Sequence, residues 1–426
     1  MHIFFSGIGG TAIGPLALIA KQAGLEVSGS DKQASAYTEY LAKRGLSFYI
    51  GQSKAQIEHL HQDKPIDWYV YSSAVAMEQR QPEELLFCQE NAIKTSKRDE
   101  LINYILEQKN QKMIAIAGTH GKTTTTAMVI WLLQQLQIPL SYSIGAKLPF
   151  GDMGHFDETA TYFVYEADEY DRNFLSFSPE MSIISGVDYD HPDIYPTREE
   201  YNQAFRQFLQ QSNHAYIWRE DAERIHSSSP SSTTTVIDKQ EYPFSKLTGQ
   251  VNRENAAIAA QAIMKLLKKD SLTELITILD SFPGLSRRFE QIAENLYSDY
   301  AHTPAKIKGA LQIAKEVAGD NVIVIYEGLH NTRQHFIKDE LPSLFNGAKK
   351  VYVVPSYRAR EDESLEDLTP EKIANIIAET TSEPAQLDHS LEQTINQHRQ
   401  AGDLVLCLSA GGGGSLDEWL RQIFIV

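Results

Sequence analysis

One stretch of the sequence constrains the fold more than any other. An apolar run at Lys112–Ala117 passes through a short loop, Gly118–Thr124, into a run of helical periodicity. A buried strand followed by such a loop and a helix aims backbone N–H groups and the positive end of the helix dipole at one point, which favours an anion. Lys122 would supply a positive charge for nucleotide phosphates, and the Thr123 hydroxyl would be placed to ligate Mg²⁺.

This loop departs from the standard phosphate-loop pattern in one respect. The first glycine of the pattern G-x-x-x-x-G-K-[ST] would fall at Ile116. The surrounding strand and helix, together with the run of Gly, Lys and two Thr, still predict a phosphate-binding loop. Its candidate ATP contacts are Gly118, Thr119, His120, Gly121, Lys122, Thr123 and Thr124.

A second glycine-containing turn lies near the N-terminus. Gly7, Ile8, Gly9 and Gly10 follow the first apolar stretch, and Asp31 ends the next predicted strand. This spacing fits a dinucleotide-binding turn, in which the glycines approach a pyrophosphate and the acidic residue binds a ribose hydroxyl. Taken alone, the turn favours NAD and a dehydrogenase. A glycine turn needed only to pack a helix closely on a strand is the other interpretation.

Acidic side chains cluster after two later strands. The run Glu166–Asp171 carries four carboxylates at the end of a predicted strand, and Asp190 and His191 follow the next strand. Carboxylates so close together repel one another unless a cation lies among them. In an open α/β sheet the strand ends at that edge line the ligand crevice, so these groups should face the phosphate loop. The pattern predicts bound Mg²⁺, with a solvated acidic loop as the alternative.

Predicted strands alternate with predicted helices along the whole chain. This alternation indicates parallel, doubly wound sheets, and a chain of 426 residues suffices for two to three domains. We therefore predict an α/β protein with a Rossmann-like domain at residues 1–108, a central phosphate-loop domain with a parallel sheet at 109–282, and a second Rossmann-like domain at 283–426. The last boundary follows a helix-breaking cluster, Phe282–Gly284.

Composition excludes several classes of partner. The net charge of −17 argues against a surface for nucleic acid or anionic membranes, because neutralising phosphates requires clustered Lys and Arg. No apolar run approaches the roughly 18 residues of a membrane span, and the N-terminus shows no secretory signal. The two cysteines, Cys88 and Cys407, lie far apart and predict idle thiols in a reducing compartment. We therefore expect a cytoplasmic protein with no nucleic-acid or membrane partner.

Six blocks of the sequence together resemble the Mur ligase family, in the family's order and across all three predicted domains. They are Gly118–Thr124, Glu166–Glu169, Asp190–His191, Asn252–Ala257, Arg287–Glu290 and Asp299–His302. Within the family, the N-terminal Gly-Ile-Gly-Gly turn and the histidine at position 120 resemble the branch that adds L-alanine. In that branch the Rossmann-like first domain holds the UDP of a sugar substrate, so the resemblance replaces the NAD interpretation.

The resemblance implies a reaction with an activated intermediate. ATP would phosphorylate the lactyl carboxylate of UDP-N-acetylmuramate, and the amine of L-alanine would attack the resulting acyl phosphate. The tetrahedral intermediate would then collapse to an amide and phosphate. Such chemistry depends mainly on charge neutralisation and positioning. The implied cofactors are ATP and Mg²⁺, the implied substrates are UDP-N-acetylmuramate and L-alanine, and the chain would act as a monomer or homodimer.

The same resemblance implies roles for individual residues. Those implied in catalysis are Lys122, Glu166, His191, Arg287 and Arg288. Those implied in nucleotide binding outside the loop are Asn255, Asp299 and His302. Those implied in UDP-sugar binding are Gly7, Ile8, Gly9, Gly10, Asp31, Ser72 and Ser73.

The resemblance also implies metal and phosphoryl ligands. Thr123 and Glu166 would hold one Mg²⁺, and His191 would hold a second. Arg288 is preferred over Arg287 for the transferred phosphoryl group because it lies two residues before Glu290. The third domain, with Asp299 and His302, would close on the nucleotide and bind the amino acid.

Several positions depart from the family pattern. Val251 stands where a histidine usually precedes the first asparagine, and Thr303 replaces a second histidine. Ser185–Val187 replaces the usual Thr-Asn-Ile before the Asp-His pair. These changes leave the implied metal and phosphate ligands in place, so they affect nucleotide affinity and the choice of amino acid more than the type of reaction.

Two other functions remain open. A recycling relative joins a whole tripeptide to the same UDP sugar, but the basic insertion expected of it after Asp171 is absent. A nucleotide-binding homologue that has lost ligase activity is the other. Such a protein would have no need to keep Lys122, Glu166 and His191.

Overall fold

The computed structural model describes residues 1–72, 75, 82–225, 233–356, 362, 364–409 and 414–425. The chain divides into two compact units: the first combines Met1–Pro243 with Asn255–Phe282, and the second combines Phe244–Glu254 with Pro283–Val426. Ser73, implied above in UDP-sugar binding, lies outside the described residues. Within those residues, no helix is both long enough and apolar enough to cross a membrane.

The N-terminal part of the first unit is a doubly wound sheet. Its strands are β1 (His2–Ser6), β2 (Glu26–Asp31), β3 (Ser47–Ile50), β4 (Trp68–Tyr71) and β5 (Lys94–Lys97). Its helices are α1 (Ile13–Gln22), α2 (Ala36–Lys43), α3 (Lys54–Asp63), α4 (Glu83–Glu90) and α5 (Arg98–Lys109). The described strands pair in parallel in the order β3-β2-β1-β4-β5. Alternate residues of β1 face opposite cores: Ile3 and Phe5 pack in the same core as α1 and α5, and Phe4 packs with α3 and α4.

The second sheet of this unit carries the phosphate loop. Its strands are β6 (Lys112–Ala117), β7 (Leu140–Ser143), β8 (Gly154–His155), β9 (Tyr162–Glu166), β10 (Met181–Ile184), β11 (His214–Trp218) and β12 (Thr234–Ile237). Its helices are α6 (Lys122–Gln135), α7 (Arg198–Gln211), α8 (Arg219–Arg224), α9 (Gln250–Leu266) and α10 (Thr273–Leu279), with a 3₁₀ helix at Tyr170–Ser176. The residues of α9 up to Glu254 belong to the second unit. The described strands follow the order β12-β11-β10-β6-β9-β7-β8.

The second unit contains the third sheet. Its strands are β13 (Glu290–Ala293), β14 (Leu296–Asp299), β15 (Val322–Glu327), β16 (Lys350–Val354), β17 (Ser382–Pro384) and β18 (Leu404–Leu408). Its helices are α11 (Pro304–Ala318), α12 (Asn331–Phe336), α13 (Leu341–Leu344), α14 (Pro370–Ile376), α15 (His389–Gln400) and α16 (Leu416–Phe424). In the described part of the chain the strand order is β13-β14-β18-β15-β16-β17.

Two edge strands depart from the predicted parallel pairing. β7 pairs with β8, and β13 with β14, in antiparallel fashion. The reason is the length of each connection, since a parallel pair requires a crossover of a dozen or more residues. Only Glu294 and Asn295 separate β13 from β14, and Asn295 adopts the left-handed conformation that a tight turn requires (φ 54°).

The topology brings the candidate groups of the central sheet to one edge. β6 lies between β9 and β10 and pairs in parallel with both. The carboxyl ends of parallel strands lie at the same edge of a sheet, so the phosphate loop after β6 emerges between the residues that follow its two neighbours. The acidic run begins at the end of β9, and Ser185 directly follows β10.

Candidate active site

The phosphate loop has its glycines where the backbone requires them. Gly118 and Gly121 have φ angles of 144° and 79°, which L side chains rarely adopt. A Cβ atom on Gly118 would lie 2.5 Å from Ser185 Oγ, and one on Gly121 would lie 2.7 Å from Asn255 Oδ1. Position 116, where the standard pattern has a glycine, is instead a fully buried isoleucine within β6. The loop therefore folds tightly around a different glycine from the one in the standard pattern.

Hydrogen bonds fasten this loop to the segment that follows β10. The Thr119 amide donates to Gly186 O (2.8 Å), and the Thr119 hydroxyl donates to Asp188 O (2.6 Å). The Ser185 hydroxyl donates to the carbonyl oxygen of His120 (2.5 Å). The loop is thus held by Ser185, Gly186 and Asp188 of the neighbouring segment. Ser185 therefore has a structural role, which sequence analysis treated only as a departure from the family pattern.

A buried ion pair lies at the centre of the site. Lys122 Nζ donates to Glu169 Oε2 and to Gly118 O, both at 2.6 Å, and His191 Nε2 is 3.5 Å from Glu169 Oε1. Burial alone would raise the pKa of Glu169, whose side chain is 1% exposed, but Lys122 and His191 outweigh it and lower that pKa to about 2. Burial would likewise lower the pKa of Lys122, and Glu169 reverses this. Both groups are therefore charged at neutral pH.

Glu169 was not singled out from the sequence, although it belongs to the acidic run. The run contains four carboxylates, and no sequence pattern distinguishes one from the others. The fold shows that Glu169 is the buried one. The structure brings Lys122 and His191 together on this residue. Their proximity agrees with the predicted edge-of-sheet arrangement.

Thr123 and Glu166 form a second small cluster. The Thr123 hydroxyl donates to Glu166 Oε1, and the Gly145 amide donates to Glu166 Oε2, both at 2.7 Å. A hydroxyl and a carboxylate are the hard oxygen ligands that Mg²⁺ prefers, and this ion usually completes its shell with phosphate oxygens and water. In the described residues no three His, Cys, Asp or Glu side chains form a metal site by themselves. The pair therefore fits an ion that is shared with a nucleotide.

The other two carboxylates of the run pair with a basic dipeptide that sequence analysis missed. Arg98 NH2 is 3.6 Å from Asp168 Oδ2, and Lys97 Nζ bonds Asp171 Oδ2. Lys97 ends β5 and Arg98 begins α5, so both come from the N-terminal part of the unit. They lie at the carboxyl end of β5, which pairs in parallel with β4.

The N-terminal glycine turn is shaped by its own backbone. Ser30 O accepts the amides of Gly7 and Ile8, each at 2.9 Å. Asp31 Oδ2 accepts the amide of Gly9 at 2.7 Å. Asp31 was expected to bind a ribose hydroxyl. In this structure Asp31 lies at the predicted place, and its Oδ2 also stabilises the turn by accepting the Gly9 amide.

Two more of the predicted UDP-sugar residues lie at this turn. The Gly10 amide donates to Gly7 O at 3.0 Å, which closes the turn. Ser72 Oγ accepts the amide of Val75 at 3.2 Å and lies 3.5 Å from the position that a Cβ on Gly7 would take. Ser72 is therefore adjacent to the glycine turn, as its predicted role requires.

The predicted residues of the third domain cluster around one aromatic ring in the second unit. The guanidinium carbons of Arg287 and Arg288 lie 4.6 Å and 5.2 Å from the centroid of the Tyr300 ring, and the His302 ring lies 4.8 Å from it. Glu290 Oε2 accepts the backbone amide of Arg287 at 2.7 Å. Glu290 thus contacts Arg287, which removes the reason for preferring Arg288 and leaves the choice between the two arginines open.

Asp299 is a buried carboxyl group with a raised pKa. Its Oδ2 accepts the amide of Phe289 at 2.7 Å. Burial raises the pKa of Asp299 to about 6, and the nearby Arg288 offsets this only in part. The folded protein therefore pays a stability cost to keep this group ionised at neutral pH, which is typical of residues retained for function.

Together the fold and the loop define a class of protein: an α/β protein with three sheets and a phosphate-binding loop. Family models match three consecutive stretches, namely the Mur ligase family catalytic domain at residues 2–110, the Mur ligase middle domain at 116–243, and the Mur ligase glutamate ligase domain at 287–411. The chain belongs to the Mur ligase family.

Several similar proteins and solved structures are named as ligases. The chain is 29% identical to UDP-N-acetylmuramate–L-alanine ligases of Caldicellulosiruptor bescii (87% of each chain covered) and Carboxydothermus hydrogenoformans (96% and 94% covered). The crystal structure of UDP-N-acetylmuramate–alanine ligase from Thermotoga maritima matches with a TM-score of 0.77 at 24% identity, over 99% of this chain and 98% of that one. A murein peptide ligase from Psychrobacter arcticus matches with a TM-score of 0.66 at 22% identity, over 100% and 98%. The fold prediction is confirmed.

The contact between Gly186 and His120 generates a first prediction. A Cβ on Gly186 would lie 2.1 Å from His120 Cε1, although the backbone conformation of Gly186 is open to any residue. Gly186→Ala should therefore destabilise the first unit by about 1–3 kcal/mol, the usual cost of overpacking. In a His120→Ala background the same change should cost less than about 0.5 kcal/mol, because the ring is gone. Urea unfolding of the four proteins measures both costs, and equal costs in the two backgrounds would contradict the argument.

The raised pKa of Asp299 generates a second prediction. Its ordinary value is 3.8 and its folded value is about 6, so ionisation opposes folding and the protein loses stability as pH rises from 4 to 6. Asp299→Asn should therefore be close to wild type in stability at pH 4 and more stable at pH 7, by up to about 3 kcal/mol for a shift of two units. Thermal unfolding at both pH values checks this. If the stability gained by Asp299→Asn over wild type were smaller at pH 7 than at pH 4, the direction of the Asp299 pKa shift would be wrong.

Proposed function

We propose that this chain joins L-alanine to the lactyl carboxylate of UDP-N-acetylmuramate at the expense of ATP, in peptidoglycan precursor synthesis. The observation that carries the proposal is the arrangement of Lys122, Glu169 and His191 beside the Thr123–Glu166 pair, around one phosphate loop. The relatives named as UDP-N-acetylmuramate–L-alanine ligases support the choice of substrates.

The proposed reaction has two group transfers. A carboxylate oxygen of the sugar attacks the terminal phosphorus of ATP, a new P–O bond forms, and the bond to ADP breaks. The amine of L-alanine then attacks the acyl carbon, a C–N bond forms, the C–O bond to phosphate breaks, and the amine loses a proton to solvent. Neither step needs a nucleophile from the protein, so the contribution of this site is positioning and charge.

Lys122 is the group best suited to that contribution. Because Glu169 keeps its ammonium charged within a buried environment, Lys122 carries a full positive charge next to the loop amides. A charge fixed in a site of low dielectric stabilises a transferred phosphoryl group more strongly than the same charge in water. Thr123 and Glu166 would hold one Mg²⁺ and His191 a second. When bound, Mg²⁺ would neutralise charge on the phosphoryl oxygens.

The division of labour between domains is part of the proposal. Residues 1–108 would bind the UDP sugar, residues 109–282 would bind ATP, and residues 283–426 would bind the amino acid and complete the nucleotide site. Asn255 supports the second assignment, since its side chain lies against Gly121 of the loop. The roles of Asp299 and His302 toward the nucleotide stay predictions.

A tripeptide acceptor is the second candidate function. The murein peptide ligase from Psychrobacter arcticus has the same fold over the full length of this chain, so the fold alone fits both reactions. The two candidates share the first half-reaction and differ only in the amine that attacks the acyl phosphate. A test must therefore vary the acceptor.

Phosphate release with different acceptors is the third prediction. With UDP-N-acetylmuramate, ATP and Mg²⁺ present, L-alanine should support phosphate release at least about tenfold faster than glycine or the tripeptide. Glycine lacks the methyl group of L-alanine and the tripeptide needs a further subsite, and each difference changes kcat/KM by about one to two powers of ten. Release only with tripeptide would move the chain to the recycling reaction. If none of the acceptors supported phosphate release, the ligase proposal would be overturned.

Loss of the Lys122 ammonium provides the fourth prediction. Lys122→Ala should lower kcat by at least about a thousandfold, the scale of removing a preorganised charge from a phosphoryl-transfer site. The affinity for UDP-N-acetylmuramate, measured by calorimetry, should stay within about threefold of wild type, since the sugar is assigned to another domain.

The single variant leaves Glu169 buried without its ammonium partner, which by itself lowers stability. Lys122→Ala combined with Glu169→Gln is therefore the matched control: it should unfold at a higher temperature than Lys122→Ala alone and stay equally inactive. If sugar affinity fell together with turnover in the double variant, the assignment of ligands to domains would be wrong.

A further inference from the structure

A buried carboxyl group lies beneath the N-terminal glycine turn. The side chain of Glu84, in the first turn of α4, is only 1% exposed. Its Oε2 accepts the hydroxyls of Ser6 (2.7 Å) and Ser30 (2.9 Å), with that of Tyr69 at 3.4 Å, and its Oε1 accepts the hydroxyl of Tyr49 (2.7 Å). Four hydroxyl groups from four different strands thus converge on one side chain.

Two of these partners hold the turn itself. Ser6 is the last residue of β1 and directly precedes Gly7. Ser30, near the end of β2, accepts the amides of Gly7 and Ile8 at its carbonyl oxygen. One carboxylate oxygen of Glu84 therefore ties together the two strand ends between which the turn is built. A shift of either strand end would change the position of the turn.

The surroundings make this carboxyl group costly for stability. Its partner Tyr69 belongs to an apolar core that includes Phe4, Ile57 and Phe87, and its partner Tyr49 packs against that core. Burial raises the pKa of Glu84, and its hydroxyl donors offset only part of that effect. The four hydroxyl donors offset part of this cost, and they would lose their acceptor if the carboxyl group were replaced.

We propose that Glu84 is a positioning residue for the UDP-sugar-binding turn: it sets the separation of the β1 and β2 ends from which the turn emerges. The inference rests on the proposed function, because it takes the ligand of the turn to be UDP-N-acetylmuramate. Glu84 lies behind the turn and acts on the ligand only through Ser6 and Ser30. Its effect should therefore be confined to sugar affinity, with ATP use and the chemical step left unchanged.

The main test is Glu84→Leu, which keeps the volume and removes the acceptor. The KM for UDP-N-acetylmuramate should rise by about tenfold or more, because several hydroxyls lose their acceptor and the strand ends lose their tie. The KM for ATP and kcat at saturating sugar should stay within about threefold of wild type. Glu84→Gln, which keeps one oxygen acceptor, should give an intermediate rise.

A matched control separates positioning from loss of stability. Ile57→Ala empties space in the same apolar core, at a residue that is fully buried and outside the hydrogen-bonded group. It should lower the unfolding temperature and leave the KM for the sugar unchanged. If Glu84→Leu raised that KM no more than Ile57→Ala does, the role of Glu84 would be structural only and the proposal would be overturned.

A milder variant covers the case in which Glu84→Leu does not fold. Ser30→Ala removes one of the two donors through which Glu84 acts, at Oε2, and keeps the carbonyl oxygen that accepts the turn amides. It should raise the KM for the sugar by about two- to threefold with no change in the KM for ATP. An unchanged KM for the sugar would count against the proposal.

Calorimetry of the wild-type chain distinguishes failure of this inference from failure of the proposed function. If wild type binds no UDP-N-acetylmuramate, the proposed function fails and the ligand of the turn is another molecule. If wild type binds it and the Glu84 variants bind it equally well, only the positioning role fails.

Discussion

The central site depends on the buried ion pair between Lys122 and Glu169. Each charge alone would be costly in that environment, since an unpaired buried ion is destabilising by several kcal/mol. Together they keep an ammonium group charged at the loop and a carboxylate charged at the end of the neighbouring strand. The backbone around the pair is held as well, because Tyr195 donates its hydroxyl to the Glu169 carbonyl oxygen at 2.6 Å. The pair thus fixes the phosphate loop and the acidic run relative to each other.

The other carboxylates of the acidic run follow from that constraint. With Glu169 directed inward, the remaining three lie further out and bond Thr123, Arg98 and Lys97 separately. The pairs made by Asp168 and Lys97 are partly exposed, with 40% of each side chain accessible, and such pairs contribute about 1 kcal/mol at most. Charge repulsion within the run is therefore relieved largely by the protein, which leaves Glu166 with Thr123 as the natural place for an added cation.

The sequence predicted the parts of this arrangement that depend on local pattern. The strand, loop and helix at 112–135, the three α/β domains and the meeting of Lys122 with the acidic run all follow from periodicity and from the rule that strand ends share an edge. The choice of Glu169 did not follow, because burial of one carboxylate among four is decided by tertiary packing. Asp171 and Arg172 adopt left-handed backbone angles two and three residues after it, and no glycine marks that bend in the sequence.

The glycine turn of the N-terminal domain shows the same limit. Its glycines and Asp31 were recognisable from spacing, whereas Glu84 lies more than fifty residues away in sequence and carries no motif. Four hydroxyls from separate strands reach it only after the sheet has formed. Long-range polar groups of this kind are visible only in the fold, because each partner taken singly is an ordinary serine or tyrosine.

Two of the departures from the family pattern, Gly186 and Val251, have neighbours that the structure identifies. Gly186, in place of the usual asparagine, lies where a Cβ would overlap the His120 ring. Val251, in place of a histidine, lies 3.4 Å from the position that a Cβ on Gly309 of α11 would take. A Cβ at position 186 requires the His120 ring to shift, whereas the distance from Val251 to the Gly309 position is an ordinary van der Waals contact. Restoring asparagine at position 186 would therefore report on the placement of the His120 ring together with nucleotide binding.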